Sequence, residues 1–410
     1  MAIISIFSAD YCREDEVVGV LVRKTGFQVV SDSDVVREAA MLANMDEEKI
    51  ARAFTNKRSV FDRFTHEKDY ALAHIKLALS KMLLVSVGND YIFHGYNTEL
   101  IPREITHILR VGLIADKQYR ITVAQEQGLS AKDAEKLIKK LDEERAKWLL
   151  ENCNVERPFD KTMYDLIIPM NKESVEDAAD LIIHYLGKDI LEPTEASLQA
   201  MDDFGVAARV EVALAKKGHD VHVSCHKGHV ILTINKKVPR LNKLAEELKE
   251  LASIVNGVQS VEVRPGEGFY EADVYRKFDV EMPTKVLLVD DEQEFVQTLS
   301  ERLALRDMGS AVVHDGQSAV KLVAEDPPDV MVLDLKMPGM DGLETLKRVK
   351  ETHPETEVII LTGHGSAKDE EECMKLGAFA YLQKPVDIQK LSQVVKEANK
   401  KAQENKSKRG

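Results

Sequence analysis

Cysteine is scarce and scattered: Cys12, Cys153, Cys225 and Cys373 are the only four in 410 residues, and no two form a CxxC pair. That spacing argues against a disulfide framework and fits a reduced, cytoplasmic compartment. Long apolar stretches are missing too; none approaches the roughly 20 residues a membrane helix needs. The opening Met1-Ala2-Ile3-Ile4-Ser5-Ile6-Phe7 lacks a basic stretch and a small-residue cleavage site, and reads as a β-strand instead of a signal peptide. Positive charge is in deficit. A net charge of −14 argues against nonspecific binding to nucleic acid or anionic lipid. No repeat is found and no helix-turn-helix signature, so no DNA partner is expected.

What is present is an ordinary soluble balance, 44% hydrophobic and 31% charged, in a chain long enough for several cores. Two stretches mixing Gly, Pro and charge without apolar periodicity, 187–194 and 265–283, act as boundaries. They give domains at 1–188, 194–265 and 284–398. A polar, Lys-rich tail at 399–410 is expected to be disordered and solvated. The expected fold class is α/β and multidomain.

The third domain alternates strand-like and helical runs. Strands are expected at 286–289, 310–313, 330–333, 358–361 and 378–382, with helices between them such as 295–306 and 342–351. Five such units imply a parallel, doubly wound sheet of the flavodoxin-like order. The residues that follow these strands carry the chemistry: Asp290-Asp291-Glu292, Asp334, Thr362 and Lys384-Pro385. In a parallel sheet they gather at one carboxyl edge, where such folds bind ligands.

Clustered carboxylates invite a hard divalent cation, Mg²⁺. Asp290, Asp291 and Asp334 would supply oxygens, and the backbone carbonyl of Lys336 another. Asp334 would then attack phosphorus as a carboxylate nucleophile while Lys384 neutralises charge on the equatorial oxygens. Thr362 would hydrogen-bond the new phosphoryl group, which is the differential contact a switch requires. Met337-Pro338-Gly339-Met340-Asp341-Gly342 reads as a rigid turn that keeps Asp334 exposed, and Lys384-Pro385 as a cis peptide.

Residues 286–291, 330–342, Leu361-Thr362-Gly363-His364-Gly365 and 382–385 closely resemble the receiver domain of bacterial two-component response regulators. The resemblance implies a phosphoryl group delivered by a histidine kinase or phosphotransfer protein. It also implies a switch role for Tyr381, at the aromatic position that turns inward on phosphorylation.

The first domain reads as α/β, with a strand at 3–7, a strand pair around 83–87 and 91–94, an apolar run at 105–115, a long helix to Leu150 capped by Ser130, and a last strand at 164–168. Segments 3–32, 91–121 and 128–148 resemble the cytidylate-kinase-like group of P-loop kinases. That resemblance implies a lid whose basic residues, Lys139, Lys140 and Arg145, close over phosphates; the same residues also suit the solvated face of a long helix. A phosphate cradle needs glycines for close backbone approach, with a Lys or Arg and a hydroxyl. The loop here, Ser8-Ala9-Asp10-Tyr11-Cys12-Arg13-Glu14-Asp15-Glu16, has no glycine, four acids and Arg13 as its one base. Three readings stand: an active nucleotide kinase regulated by the third domain, a fold kept for nucleotide sensing or protein contact, and a structural platform.

The middle domain reads helix, hairpin, helix, strand: 196–217, then 220–225 and 229–235 about Lys227-Gly228, then 241–255 and 259–264. Its layout resembles the BON domain, a small α+β module linked to binding and not to catalysis. His219, His222, Cys225, His226 and His229 crowd together as zinc ligands might. Strand alternation, however, places His222 and His226 on a solvent face and Cys225 on the other.

Overall fold

The computed structural model describes residues 2–55, 67–85, 89–188, 191–235, 241–266, 285–304, 306, 308–363 and 365–407. The chain divides into two compact units, one built from the first two sequence domains and one from the third, with Glu67 grouped in the second. The boundary residues 189–190 and 267–284 lie outside the described set.

The first unit opens with β1 (Ile3–Ser8), α1 (Glu14–Thr25), β2 (Gln28–Val30), α2 (Asp32–Ala43), α3 (Glu47–Ala51) and α4 (Glu67–Val85). It continues with β3 (Tyr91–His94), β4 (Ile108–Ile114), α5 (Lys117–Glu126), α6 (Ala131–Cys153), β5 (Leu166–Pro169) and α7 (Val175–Leu186). The five strands form one parallel sheet in the order β2-β3-β1-β4-β5. All of β1 is buried, as a central parallel strand must be when helices cover both faces. Its alternate residues feed two cores: Ile3 and Phe7 pack with Ile75, Leu79 and Trp148, while Ile4 and Ile6 pack with Val17, Leu21 and Ile182.

The strand expected at 83–87 is corrected here. Leu83 lies in α4, and residues 86–88 are outside the described set. Ala71, Ile75, Leu79 and Leu83 are buried at four-residue spacing, so helical periodicity governs a run whose apolar end looks extended.

The middle domain belongs to the same unit. It comprises α8 (Glu195–Ala215), β6 (His222–His226), β7 (His229–Ile234), α9 (Leu241–Ser253) and β8 (Ser260–Pro265). The sheet order is β6-β7-β8, the first pair antiparallel and the second parallel. Lys227 (φ 51°) and Gly228 (φ 75°) make the hairpin turn, both left-handed as the twist of the flanking strands favours. Val206, Val210 and Leu214 of α8 meet Val230, Leu232 and Ile234 of β7 and Leu248 of α9 in one small core.

The second unit contains β9 (Val286–Val289), α10 (Gln293–Ala304), β10 (Ser310–Val313), α11 (Gly316–Glu325), β11 (Val330–Leu333), α12 (Gly342–Thr352), β12 (Glu357–Thr362), α13 (Ala367–Lys375), β13 (Ala380–Gln383) and α14 (Ile388–Ser407). Its parallel sheet runs β10-β9-β11-β12-β13, a flavodoxin-like doubly wound order.

The disordered tail expected from Lys-rich composition is also corrected. Residues 399–407 continue α14, with Asn399 and Ala402 buried. The cause is electrostatic. Glu357 is 1% exposed at the start of β12, and Lys401 (3.2 Å) and Lys350 (3.6 Å) neutralise it. Asn405 Nδ2 donates to the same carboxylate at 3.2 Å, and Gln403 Nε2 to Asp329 at 3.4 Å.

Candidate functional site

In the second unit Leu333 pairs in register with Val289 on one side and Ile360 on the other, so the strand ends are level and their following residues share one edge. Asp290 and Asp334 sit there at 4% and 6% exposure, so the acceptor expected to be exposed is buried, with Asp291 exposed beside them. One carboxylate oxygen from each of the three lies within 4.8 Å of the others. From the end of β13, Lys384 Nζ reaches Asp290 Oδ2 at 2.7 Å, Glu292 Oε1 at 3.2 Å and Asp334 Oδ1 at 3.9 Å. The Lys384–Pro385 peptide is cis.

Electrostatics follow from this crowding. Burial raises the Asp290 carboxyl above the usual carboxylate range, against the lowering pull of Lys384. Burial also works to lower Lys384, but the carboxylates of Asp290, Asp334 and Glu292 outweigh it and hold the ammonium above its ordinary value. Asp334 Oδ2 accepts from the Lys336 amide at 3.2 Å, whereas Asp334 Oδ1 is buried with no hydrogen-bond partner. Gly342 is required behind the acceptor: a Cβ there would stand 2.2 Å from Asp334 O and 2.6 Å from Leu335 Cα. Only a residue without a side chain lets α12 start that close to the Asp334 backbone.

Thr362, 1% exposed, and Tyr381 meet across Gly365. A Cβ built at Gly365 would lie 1.5 Å from Tyr381 Oη and 3.1 Å from Thr362 Cγ2. Tyr381 Oη is buried without a partner, and burial raises its pKa. Glu292, named with the acid pair, was given no role of its own, and Phe295, whose ring centroid lies 4.3 Å from Lys384 Nζ, was not expected at the site. The signal for Glu292 was its place directly after the acid pair.

The basic residues expected to serve phosphate in the first domain do not converge. Arg13 bonds Glu16 at 2.7 Å, Glu126, and Tyr119 Oη at 3.2 Å. Lys139 and Lys140 have side chains 77% and 65% exposed, each 3.8 Å from an acid one turn on, Glu143 and Glu144. Arg145 is on another face of α6, 3% exposed, bonded to Asp10 and to Asp142 at 2.9 Å. Arg120 completes this network, which the sequence did not reveal. Its two Nη atoms grip Asp142 at 2.9 and 2.8 Å and its Nε donates to Asp10 O at 2.8 Å. The loop holding Asp10 is left-handed at Tyr11 (φ 63°) and Arg13 (φ 57°).

Among the described residues, the group of three or more metal-ligating side chains is the Asp290–Asp291–Asp334 cluster. In the middle domain His219 is buried 3.4 Å from Glu247, and Cys225 Sγ points to Asp203 Oδ1 at 3.4 Å, away from the exposed His222 and His226.

The response regulator receiver domain model matches residues 286–396, and the cytidylate kinase-like family model matches residues 3–172. Transcriptional regulatory protein CpxR of Escherichia coli is 41% identical over 107 residues, 26% of this chain and 45% of that protein. DNA-binding transcriptional regulator NtrC of the same organism is 36% identical over 124 residues, 30% of this chain and 26% of that protein. The chain thus spans less than half the length of these curated relatives. A solved receiver domain protein from Clostridium thermocellum is 33% identical, covering 29% of this chain and 97% of that one with a TM-score of 0.28. Residues 286–396 are a response regulator receiver domain, carried in one chain with a segment that matches the cytidylate kinase-like family.

Proposed function

We propose that this chain is a two-component response regulator: Asp334 accepts a phosphoryl group from a histidine kinase or phosphotransfer protein, and the modified receiver changes what the two upstream domains bind. The observation that carries this reading is the Asp334 carboxylate, with Oδ1 buried, without a hydrogen-bond partner and 3.9 Å from the Lys384 ammonium, inside the acid cluster. An oxygen-only donor set suits Mg²⁺, which Asp290, Asp291, Asp334 and the Lys336 carbonyl would hold. When bound, the cation supplies charge neutralisation for the transferring group.

The chain's own residues do the rest. A bond forms from an Asp334 carboxylate oxygen to phosphorus as the donor's phosphorus–nitrogen bond breaks, the electron pair leaving with the imidazole. Lys384 offsets the negative charge of the equatorial oxygens. Thr362 donates its hydroxyl to the phosphoryl group, and Tyr381, crowded against it at Gly365, follows that shift inward. Because that hydrogen bond exists in one state only, it moves a pre-existing equilibrium. Thr362→Ala is expected to take up phosphoryl label near the wild-type rate yet leave partner affinity unchanged by phosphorylation, measured by binding of the phosphorylated and unphosphorylated forms. Wild-type coupling retained in that variant would refute the switch.

The upstream domains are read as binding modules in a cytoplasmic protein with no DNA partner. The first is a kinase-like fold with a degenerate phosphate loop, and the second a BON-like α+β module. The alternative, a nucleotide kinase under receiver control, needs bases free to hold phosphate. Arg13, Arg120 and Arg145 are already paired with carboxylates. Assays with ATP and CMP, dCMP or UMP, with and without receiver phosphorylation, are expected to give turnover far below about 1 s⁻¹, the low end of kinases. Turnover at that level would reinstate the kinase.

A further inference from the structure

The middle domain holds a feature for which the receiver has no use. α8 sets Gln199, Asp202, Asp203, Val206 and Arg209 on one stripe, at the three- and four-residue spacing of a helix face. This stripe, the Lys227–Gly228 turn and the loop before β8 line a cavity of about 600 Å³, with Leu84 of α4 on its border. That volume suits a small organic ligand.

The walls are built, not incidental. Asp203, 5% exposed, accepts from the Lys227 amide at 2.7 Å, the Gly228 amide at 3.1 Å and Gln199 Nε2 at 3.3 Å, so its charge is spent on the hairpin turn. Gly257 has φ +94°, and a Cβ there would stand 2.8 Å from Val206 Cγ2 and 3.3 Å from Arg209 Nη2. Gly228 closes from the other side, where a Cβ would stand 2.8 Å from Gly257 O. These two glycines bring three segments together around the Arg209 guanidinium.

That guanidinium is under-used. Nη2 donates to Asn256 O at 3.2 Å, and Nε is buried without a partner. Among the described residues neither Arg209 nor Lys227 enters an ion pair. A guanidinium without a carboxylate, in a cavity lining that also includes the exposed Lys227, is suited to a carboxylate or phosphoryl oxyanion.

We propose that this cavity binds a small molecule through an oxyanion, a carboxylate or a phosphoryl group, held by Arg209 and Lys227. Asp202, exposed on the same stripe, opposes that charge and limits affinity.

The test uses the full chain, titrated separately with inorganic phosphate and with citrate and followed by the ¹⁵N resonances of arginine Nε. A saturable shift is expected with at least one probe; phosphate alone identifies a phosphoryl site and citrate alone a carboxylate site. Affinity is expected to fall about tenfold in Arg209→Gln and about threefold in Lys227→Gln, and to rise several-fold in Asp202→Asn. Lys227 and Asp202 have exposed side chains, so those two variants remain informative if Arg209→Gln does not fold. No saturable shift with either probe up to about 10 mM, or unchanged affinity in the folded variants, overturns the proposal.

Discussion

An Asp334→Asn protein incubated with Mg²⁺ and acetyl phosphate is expected to take up no acyl phosphate, a loss on the order of 10³-fold against wild type. The amide keeps the size of the carboxylate but has no anionic oxygen to form the bond to phosphorus. Asp291→Asn, which removes an exposed member of the cluster and leaves the nucleophile, is expected to slow uptake without abolishing it. Asp290→Asn is expected to be more severe than Asp291→Asn, because Asp290 is 4% exposed and also holds Lys384 at 2.7 Å. Hydroxylamine-sensitive label mapped by peptide mass reads the result. Label that persists at another carboxylate in Asp334→Asn would show that the acceptor has been misassigned.

Arg145→Ala is expected to destabilise the kinase-like domain by about 2–4 kcal/mol. Breaking a fully buried ion pair costs about 3–5 kcal/mol, since the remaining charge stays desolvated and alone. Here the discount is for partial solvation: the Asp10 and Asp142 side chains are 36% and 44% exposed, and Arg120 still grips Asp142. Packing is lost as well, because the Arg145 guanidinium lies 6.0 Å from the Phe7 ring centroid and 5.9 Å from that of Phe159. Trp148 is the one tryptophan of the chain, 1% exposed and one turn along α6, so its fluorescence in a urea titration reports this domain alone. Lys139→Ala and Lys140→Ala, on the solvated face, are expected within about 0.5 kcal/mol of wild type. An Arg145→Ala midpoint equal to theirs would mean that the network contributes nothing.

The receiver was legible because its signals are local. Apolar runs four to six residues long alternate with helical spacing, and each of these site residues ends a strand or follows one directly, so parallel topology alone brings Asp290, Asp334, Thr362 and Lys384 to one edge. The middle domain's hairpin was legible for a similar reason, from alternation on either side of Lys227-Gly228. Two elements misled because composition outvoted periodicity: Leu83 lies in the last turn of a helix with buried positions at four-residue spacing, and the polar run from 399 is helical because its Lys401 and Asn405 meet the buried Glu357. The Arg120–Asp142 and Arg145–Asp10 pairs could not be read at all. Each joins residues distant in sequence, and nothing in the residue types says which acid a buried arginine will choose.

Helix α14 has a mechanical consequence for the receiver. Its 20 residues form a rod about 30 Å long. It starts three residues after the cis Lys384–Pro385 bond, at the edge where Asp334 sits. Its last turns are tethered by Lys401, Gln403 and Asn405 to acids at the opposite edge, where β11 and β12 begin. The two edges of the sheet therefore share one stiff helix, and under the proposed mechanism a displacement of Lys384 is expected to be felt at the Glu357 tethers on the far side.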